Sequence, residues 1–444
     1  MTVLRAAQNE LFTRSGPDTA LGGLMRRYWQ PAALSHELEG VRAVRPVNLL
    51  GERLVLFRDN NGELGLIDRH CAHRGADLCY GRLEDGGIRC PFHGWLFDRT
   101  GQCLQQPAEP DGSEFYSRIK LTSYPLIERN GIIFAWMGEG EAPALPTIDA
   151  LRAPDSHTFA FKGLIECNWL QALEVGIDPA HASFLHRFFE DEDTNESYGK
   201  QFRDAVKGTD VPVTQVLRDF PRPDIQAEQT DYGVRLTALR RLNETDMHVR
   251  VTNQVFPHAI VIPMSREMTI TQWHVPIDDT HCYWYAIFTS YKDPVDREKM
   301  HQQRLELYEL PDYVPRKNLQ NQYGFDPEEQ RTKTFTGMGH DINVHDQWAI
   351  ESQGPIQDRT KEHLARSDIG IVQYRRLLQN ALNSHENGGA LPLYDDKGST
   401  LVVDGPLTVD TIVDESCWTE LWVERAEAVR GEAAWFSAIR STPL

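Results

Sequence analysis

Two short pairs, Cys71-Ala72-His73 and Cys90-Pro91-Phe92-His93, stand with sixteen residues between them. Two thiolates and two imidazoles can complete a tetrahedral zinc site. They can also hold a [2Fe–2S] cluster, both cysteines on one iron and both histidines on the other. The C-x-H pair is tighter than the usual zinc spacing. Each pair follows a β-rich segment and runs into loop formers, Arg74-Gly75 and Gly94-Trp95. These features favour the cluster. Neutral imidazoles in place of two thiolates lower its negative charge and raise its potential to about −150 to +300 mV.

A second constellation lies in Asn168–His186. Two histidines and a carboxylate suit non-haem Fe(II), which takes a 2-His-1-carboxylate face and keeps open positions for oxygen. His181 and His186 are five residues apart, about 140° around an ideal helix. They converge only if the helix is broken, and Pro179 supplies a break. Asp178, just before that proline, also fits a plain helix N-cap. The third ligand must come from elsewhere in the chain. Asp346 in HDQWAIES and Asp358 in GPIQDRTKEHL are the two candidates. Asp358, following Gly354-Pro355 and preceding Arg359, also suits a helix start in an ion pair.

The surrounding elements must position these groups. Residues 43–70 read as antiparallel β, with Leu54–Phe57 leading into Asn61-Gly62, a strong hairpin signal, and Leu64–Ile67 returning. Gly131–Met137 is a further apolar segment. Residues 141–157 carry three prolines and little periodicity, marking a domain boundary. Beyond it, residues 231–290 alternate turn signals with β-rich runs such as His248–Phe256 and Met268–Val275, which predicts a second antiparallel sheet. Leu364, Ile371, Tyr374, Leu378 and Leu382 predict an amphipathic helix from Lys361 to Leu382, closed by Asn387-Gly388-Gly389. The acidic run Glu190–Asp193 is expected to be a solvated loop.

The 444 residues carry 46 Lys+Arg against 65 Asp+Glu, a formal net charge of −19 that disfavours nucleic acid as partner. Hydrophobic content of 40% and charged content of 25% fit an ordinary globular protein. The N-terminal stretch MTVLRAAQNELFTRSG lacks an apolar signal region, and no apolar run reaches membrane length. Seven cysteines are expected to be reduced, in a cytoplasmic protein. No glycine-rich dinucleotide fingerprint occurs, and the remaining cysteines lack plant-type ferredoxin spacing. NAD(P)H oxidation is therefore expected on a separate reductase.

Residues 70–95, HCAHRGADLCYGRLEDGGIRCPFHGW, resemble the cluster domain of Rieske non-haem iron ring-hydroxylating oxygenases. NWLQALEVGIDPAHASFLH resembles their iron helix, with its Asp-x-x-His-x4-His signature. MRRYWQPAALSHEL and ESQGPIQDRTKEHLARSD point to the phthalate-dioxygenase-like branch. HRFFEDEDTNESYGKQFR and VRVTNQVFPHAIVIPMSREMTITQWHVP are similar to lignin-biaryl O-demethylase oxygenase components. The resemblance implies an α+β protein. An all-β cluster domain with an N-terminal arm would cover 1–145, and a catalytic domain with an antiparallel sheet surrounded by helices would cover 146–444. Cys71, His73, Cys90 and His93 would hold the [2Fe–2S] cluster. His181, His186 and Asp346 would hold Fe(II), Asp346 matching the family's C-terminal ligand better than Asp358. Asp178 would bridge to a cluster histidine of a neighbouring subunit in a trimer or a hexamer of stacked trimers. Relatives often carry Asn after the glutamate, where this chain has Val175.

The implied reaction uses O2 and electrons from a reductase or ferredoxin to oxidise an aromatic acid. O-demethylation of a methoxylated lignin-type aromatic leads, and cis-dihydroxylation of an aromatic carboxylate is the alternative. Arg250 and Arg266 are candidates to grip the carboxylate. Phe256, Met264, Met268 and Trp273 are candidates to line the pocket, with core packing the competing reading.

Overall fold

The computed structural model describes residues 4–84, 86–190, 211–264 and 267–436. Asp191–Asp193 of the acidic run and Arg266 lie outside the described residues. The chain forms two compact units, one of Ser15–Ala142 with Val275–Asp278, the other of the remainder. The chain passes between units at Ala142/Pro143, and the N-terminal arm belongs to the larger unit. Hydrogen bonds explain the arm's place. Asn9 Nδ2 donates to the Gln357 carbonyl (2.9 Å) and its Oδ1 accepts from Arg359 (3.2 Å).

The smaller unit is built of antiparallel sheets. Strands β1 (Gln30–Leu34), β10 (Ile132–Ala135) and β9 (Leu126–Arg129) form one. A second joins β2 (Val44–Leu49), β3 (Glu52–Arg58) and β4 (Leu64–Asp68), the predicted hairpin being β3–β4. A third orders β5 (Arg82–Glu84), β6 (Gly87–Arg89), β7 (Leu96–Asp98) and β8 (Cys103–Gln105). Val55, Phe57, Ile67, Leu78, Ile88, Trp95 and Phe97 pack into one core that also encloses Cys71 and Cys90. The thiols are thus held by the packing of the sheets' apolar faces.

The larger unit centres on one antiparallel sheet in the order β11 (Thr158–Ile165), β17 (Cys282–Ser290), β16 (Met268–Pro276), β15 (Ala259–Pro263), β14 (Asp246–Val255), β13 (Gly233–Arg241), β12 (Asp224–Gln229). β20 (Val409–Asp414) pairs with β14 from some 160 residues downstream, setting Asp410 opposite Arg250. A short pair, β18 (Tyr308–Glu309) and β19 (Val314–Pro315), stands apart. Helices surround the sheet. The one expected from Lys361 begins at Ile369 and runs to Glu386, a later start with a local cause. Asp358 closes a turn on Thr360, Asp368 accepts from the Ala365 amide, and Glu362 is drawn to Arg375, so residues 358–365 satisfy their polar groups outside a helix.

Candidate metal centres

The two Cys/His pairs sit in loops of the same construction. In each, the cysteine carbonyl accepts from the glycine four residues on (Gly75, 2.9 Å; Gly94, 3.0 Å). The cysteine amide donates to the carbonyl five residues on (Ala76, 2.9 Å; Trp95, 2.8 Å). Gly75 and Gly94 hold φ of +74° and +77°, a left-handed closure that side-chain-bearing residues rarely adopt. The His73 and His93 rings are 4.5 Å apart, and buried Trp95 stacks on His73 at 4.6 Å. Burial and the neighbouring Cys90 push the Cys71 thiol up to about 11. His93 Nδ1 is buried without a hydrogen-bond partner among the described residues. Two sequestered thiols near one another and an orphaned imidazole nitrogen fit a cluster with mixed ligands.

The second centre lies wholly in the larger unit. Asn168 caps the helix Trp169–Gly176, its Oδ1 accepting from Leu170 N (3.1 Å), and the helix stops at Ile177. The chain turns through Asp178 and Pro179, with Asp178 Oδ1 accepting from Ala180 N (2.8 Å). A four-residue helix, Ala182–Leu185, then places His181 and His186 at its two ends. This break brings rings five residues apart onto one point, with their Nε2 atoms 3.2 Å apart.

Asp346 comes from the helix Ile342–Glu351, capped by Asp341. Gln171 Nε2 ties the two helices together by donating to the carbonyls of Ile350 (2.9 Å) and Gly354 (2.8 Å). The Glu166 amide donates to Glu351 (2.9 Å). Glu351, five residues past Asp346, therefore secures the helix while Asp346 faces the histidines. Asp346 Oδ1 lies 3.2 Å from His186 Nε2 and 3.7 Å from His181 Nε2. His181, His186 and Asp346 are the one such donor triangle among the described residues. Donors about 2.1 Å from one octahedral metal stand about 3 Å apart on one face, so the set fits a face-capping metal. Burial pushes the Asp346 carboxyl up, but His186 and His181 outweigh it and hold it below its ordinary value. Asp358 is half-exposed and paired with Lys361 (3.0 Å), outside the triangle. Its neighbour Arg359 is buried against Glu174 instead (2.9 Å).

Hydrogen bonds fix the tautomers. His181 Nδ1 donates to the Asp178 carbonyl, which frees Nε2. His186 Nδ1 faces the Nδ1 of fully buried His345 at 3.5 Å, and His345 Nε2 donates to the Gly339 carbonyl (2.9 Å). Burial and His186 draw His345 down to about 4, so it is neutral and can accept. Asp178 is partly buried, and burial raises its carboxyl against the pull of His181.

A cavity of about 270 Å³ opens beside the triangle, lined by His181, His186 and Asp346 together with Arg240, Arg250 and His274. Met264 lines it. Phe256 and Trp273 are not among its lining residues: Trp273 alternates with Gln272 and His274, which are, and Phe256 is buried beyond the end of β14. Met268 is buried at the start of β16 and is also absent from the lining. Arg250 is ion-paired with Asp410 and donates to the Pro263 carbonyl (3.0 Å). His274, His345 and Arg240 carry no motif in the sequence. Sheet register brings two of them to the cavity and helix phase brings the third to His186. A larger hollow of about 920 Å³ reaches Asp178 and His181 from another side, with Phe184, Phe335 and Trp348 in its wall.

Two family models match the chain, the Rieske [2Fe-2S] domain over residues 28–125 and the LigXa C-terminal domain like family over 135–397. The phthalate 4,5-dioxygenase oxygenase subunit of Pseudomonas putida is 34% identical, covering 87% of this chain and 88% of its own. The 5,5'-dehydrodivanillate O-demethylase oxygenase subunit of Sphingobium sp. (strain NBRC 103272 / SYK-6) is 32% identical over 84% and 79%. An oxygenase–ferredoxin complex of carbazole 1,9a-dioxygenase has a like fold, with a TM-score of 0.54 at 19% identity over 90% and 97%. The enzyme accordingly uses a Rieske cluster, a mononuclear iron and electrons from a separate donor. No described helix is long and apolar enough to cross a membrane. With a cluster domain, an LigXa-like C-terminal domain and relatives matched over most of their length, the chain belongs to the Rieske non-haem iron oxygenases as a terminal oxygenase.

Proposed function

We propose that this oxygenase demethylates a methoxylated aromatic acid, and that a single substituted ring suits its cavity. The observation that carries the reading is the cavity itself. It adjoins the His181–His186–Asp346 triangle, has cationic groups in its wall, and at about 270 Å³ falls below the roughly 300–1,000 Å³ of drug-sized sites. The O-demethylase relative supports the reaction class. Hydroxylation of the methyl carbon consumes O2, two electrons and two protons and forms water and a hemiacetal, which breaks into formaldehyde and a phenol. The phthalate dioxygenase relative, at 34% identity, supports the second reading, cis-dihydroxylation of an aromatic carboxylate.

In this reading His181, His186 and Asp346 hold the iron, and Cys71, Cys90, His73 and His93 hold the cluster. The bound iron supplies oxygen activation, and the chain supplies ligation, orientation and a dry pocket. Asp178 receives the hydrogen bond of a cluster histidine from a second copy in a homo-oligomer. The apolar hollow of about 920 Å³ around Asp178 supports such docking. None of the seven cysteines is in a disulfide, which supports a reducing, cytoplasmic setting. The test is product analysis with a reductase, O2 and paired methoxylated and methoxy-free aromatic acids. Formaldehyde with a phenol supports demethylation. A diol from the methoxy-free acid supports the second reading.

A further inference from the structure

Three guanidinium groups among the described residues line the cavity, and their surroundings differ. Arg250, on β14, is neutralised by Asp410, which also accepts from His248 Nε2 at 2.6 Å. Arg304 lies among the rings of Phe161, Trp284 and Phe288, 5.2 to 5.7 Å from their centroids. Arg240, on β13, is 2% exposed and has no carboxylate in ion-pair contact among the described residues. Its Nε donates to the Phe220 carbonyl (3.1 Å). Its Nη2 donates to Ser183 Oγ (3.2 Å) and, at 3.5 Å, to the Pro179 carbonyl. Its Nη1 has no hydrogen-bond partner among the described residues.

All three acceptors are uncharged. Burial and the positive charge of Arg250, partly offset by Asp410, draw Arg240 down to about 10, which leaves it cationic at neutral pH. A buried cation whose hydrogen-bond partners are all neutral, with one donor left over, is costly unless an anion completes it. An arginine fork suits a carboxylate in this position.

We propose that Arg240 receives the carboxylate of the substrate through Nη1, and that the Arg250–Asp410 pair is a fixed part of the wall. This rests on the aromatic-acid reading above and names the residue that selects for it. Nη2 of the same guanidinium is fixed to Ser183, between the two iron-site histidines, so the anion is held on the side of the cavity made by the ligand-bearing turn.

The test is calorimetric titration of the full-length protein, loaded with cluster and iron, with benzoate, 4-methoxybenzoate and phthalate and with their uncharged amides. The wild type is expected to bind at least one acid about tenfold or more tighter than its amide. Arg240→Gln should weaken that acid by about 10- to 100-fold and leave the amide within a few-fold. Arg240→Lys, which keeps the charge, should retain part of the preference, and Arg250→Gln should retain it. Iron content and cluster absorbance report whether each variant is intact. Equal weakening of acid and amide in Arg240→Gln and Arg240→Lys would assign the residue to bracing the turn and overturn the proposal. An acid preference that survives Arg240→Gln would overturn it while the aromatic-acid reading stands. A wild type with no acid preference on any probe would overturn both.

Discussion

His186 and His345 face one another through their Nδ1 atoms at 3.5 Å, and His345 donates its one N–H, on Nε2, to the Gly339 carbonyl. This arrangement leaves a neutral His345 one role toward His186, that of acceptor. The ring of His186 is thereby turned so that Nε2 points toward Asp346. A metal-site histidine oriented in this way typically loses 10- to 100-fold in metal affinity when its support is removed.

Replacing His345 by Ala should lower iron affinity by about 10- to 100-fold and leave the cluster spectrum unchanged. Metal analysis after dialysis against graded chelator, with cluster absorbance read in parallel, checks this. Full iron retention would reduce His345 to packing.

The two carboxylates that the sequence left in competition should separate cleanly. Asp346→Asn is expected to lose most of the iron and all turnover, since it removes a charged donor from the triangle. Asp358→Asn, at a half-exposed turn, should keep both. Iron quantification of the two purified variants decides it.

Glu174 is 6% exposed and pairs with Arg359 (2.9 Å) and Arg375 (2.6 Å) at the end of the helix that leads into Asp178. Glu174→Gln leaves buried Arg359 without a carboxylate among the described residues, Arg375 keeping Glu362, and should cost about 3 kcal/mol, read as a fall in thermal midpoint. Burial raises this carboxyl, but the two arginines outweigh it, so its folded pKa lies below its unfolded one. Its contribution is therefore complete above the unfolded pKa and is lost as pH falls through the folded value. The gap between wild type and Glu174→Gln should narrow on acidification, which thermal unfolding at stepped pH measures.

Asp178→Asn should retain iron and cluster and lose turnover on the order of 100-fold, because the amide keeps the turn but not the anionic acceptor. Its Oδ1 bond to Ala180 N can be kept by the amide oxygen. Steady-state product formation beside metal content separates this from loss of the site.

Much of the site was legible because its spacing is local. The paired loops at Cys71 and Cys90 and the break at Pro179 follow from short-range sequence, and so does the Asn61-Gly62 hairpin. What escaped depends on contacts across the fold. Asp346 is reached only through the resemblance, because it meets His186 by helix packing set by Gln171 and Glu351, some 180 residues apart. Arg250 looked available because its partner Asp410 arrives on a strand 160 residues later. Arg240 carries no motif in the sequence, and strand alternation turns it inward while Arg241 stays exposed. The late start of the helix at Ile369 reflects side chains that bond locally from Asp358 to Asp368, which an apolar pattern does not register.

The most direct measurement compares wild type with His181→Ala, each reduced, supplied with iron and given O2 and a methoxylated aromatic acid. Formaldehyde is expected from the wild type at one equivalent per two electrons, and none from His181→Ala, whose cluster absorbance persists. Formaldehyde at an undiminished rate from a His181→Ala protein that holds no iron would contradict this expectation.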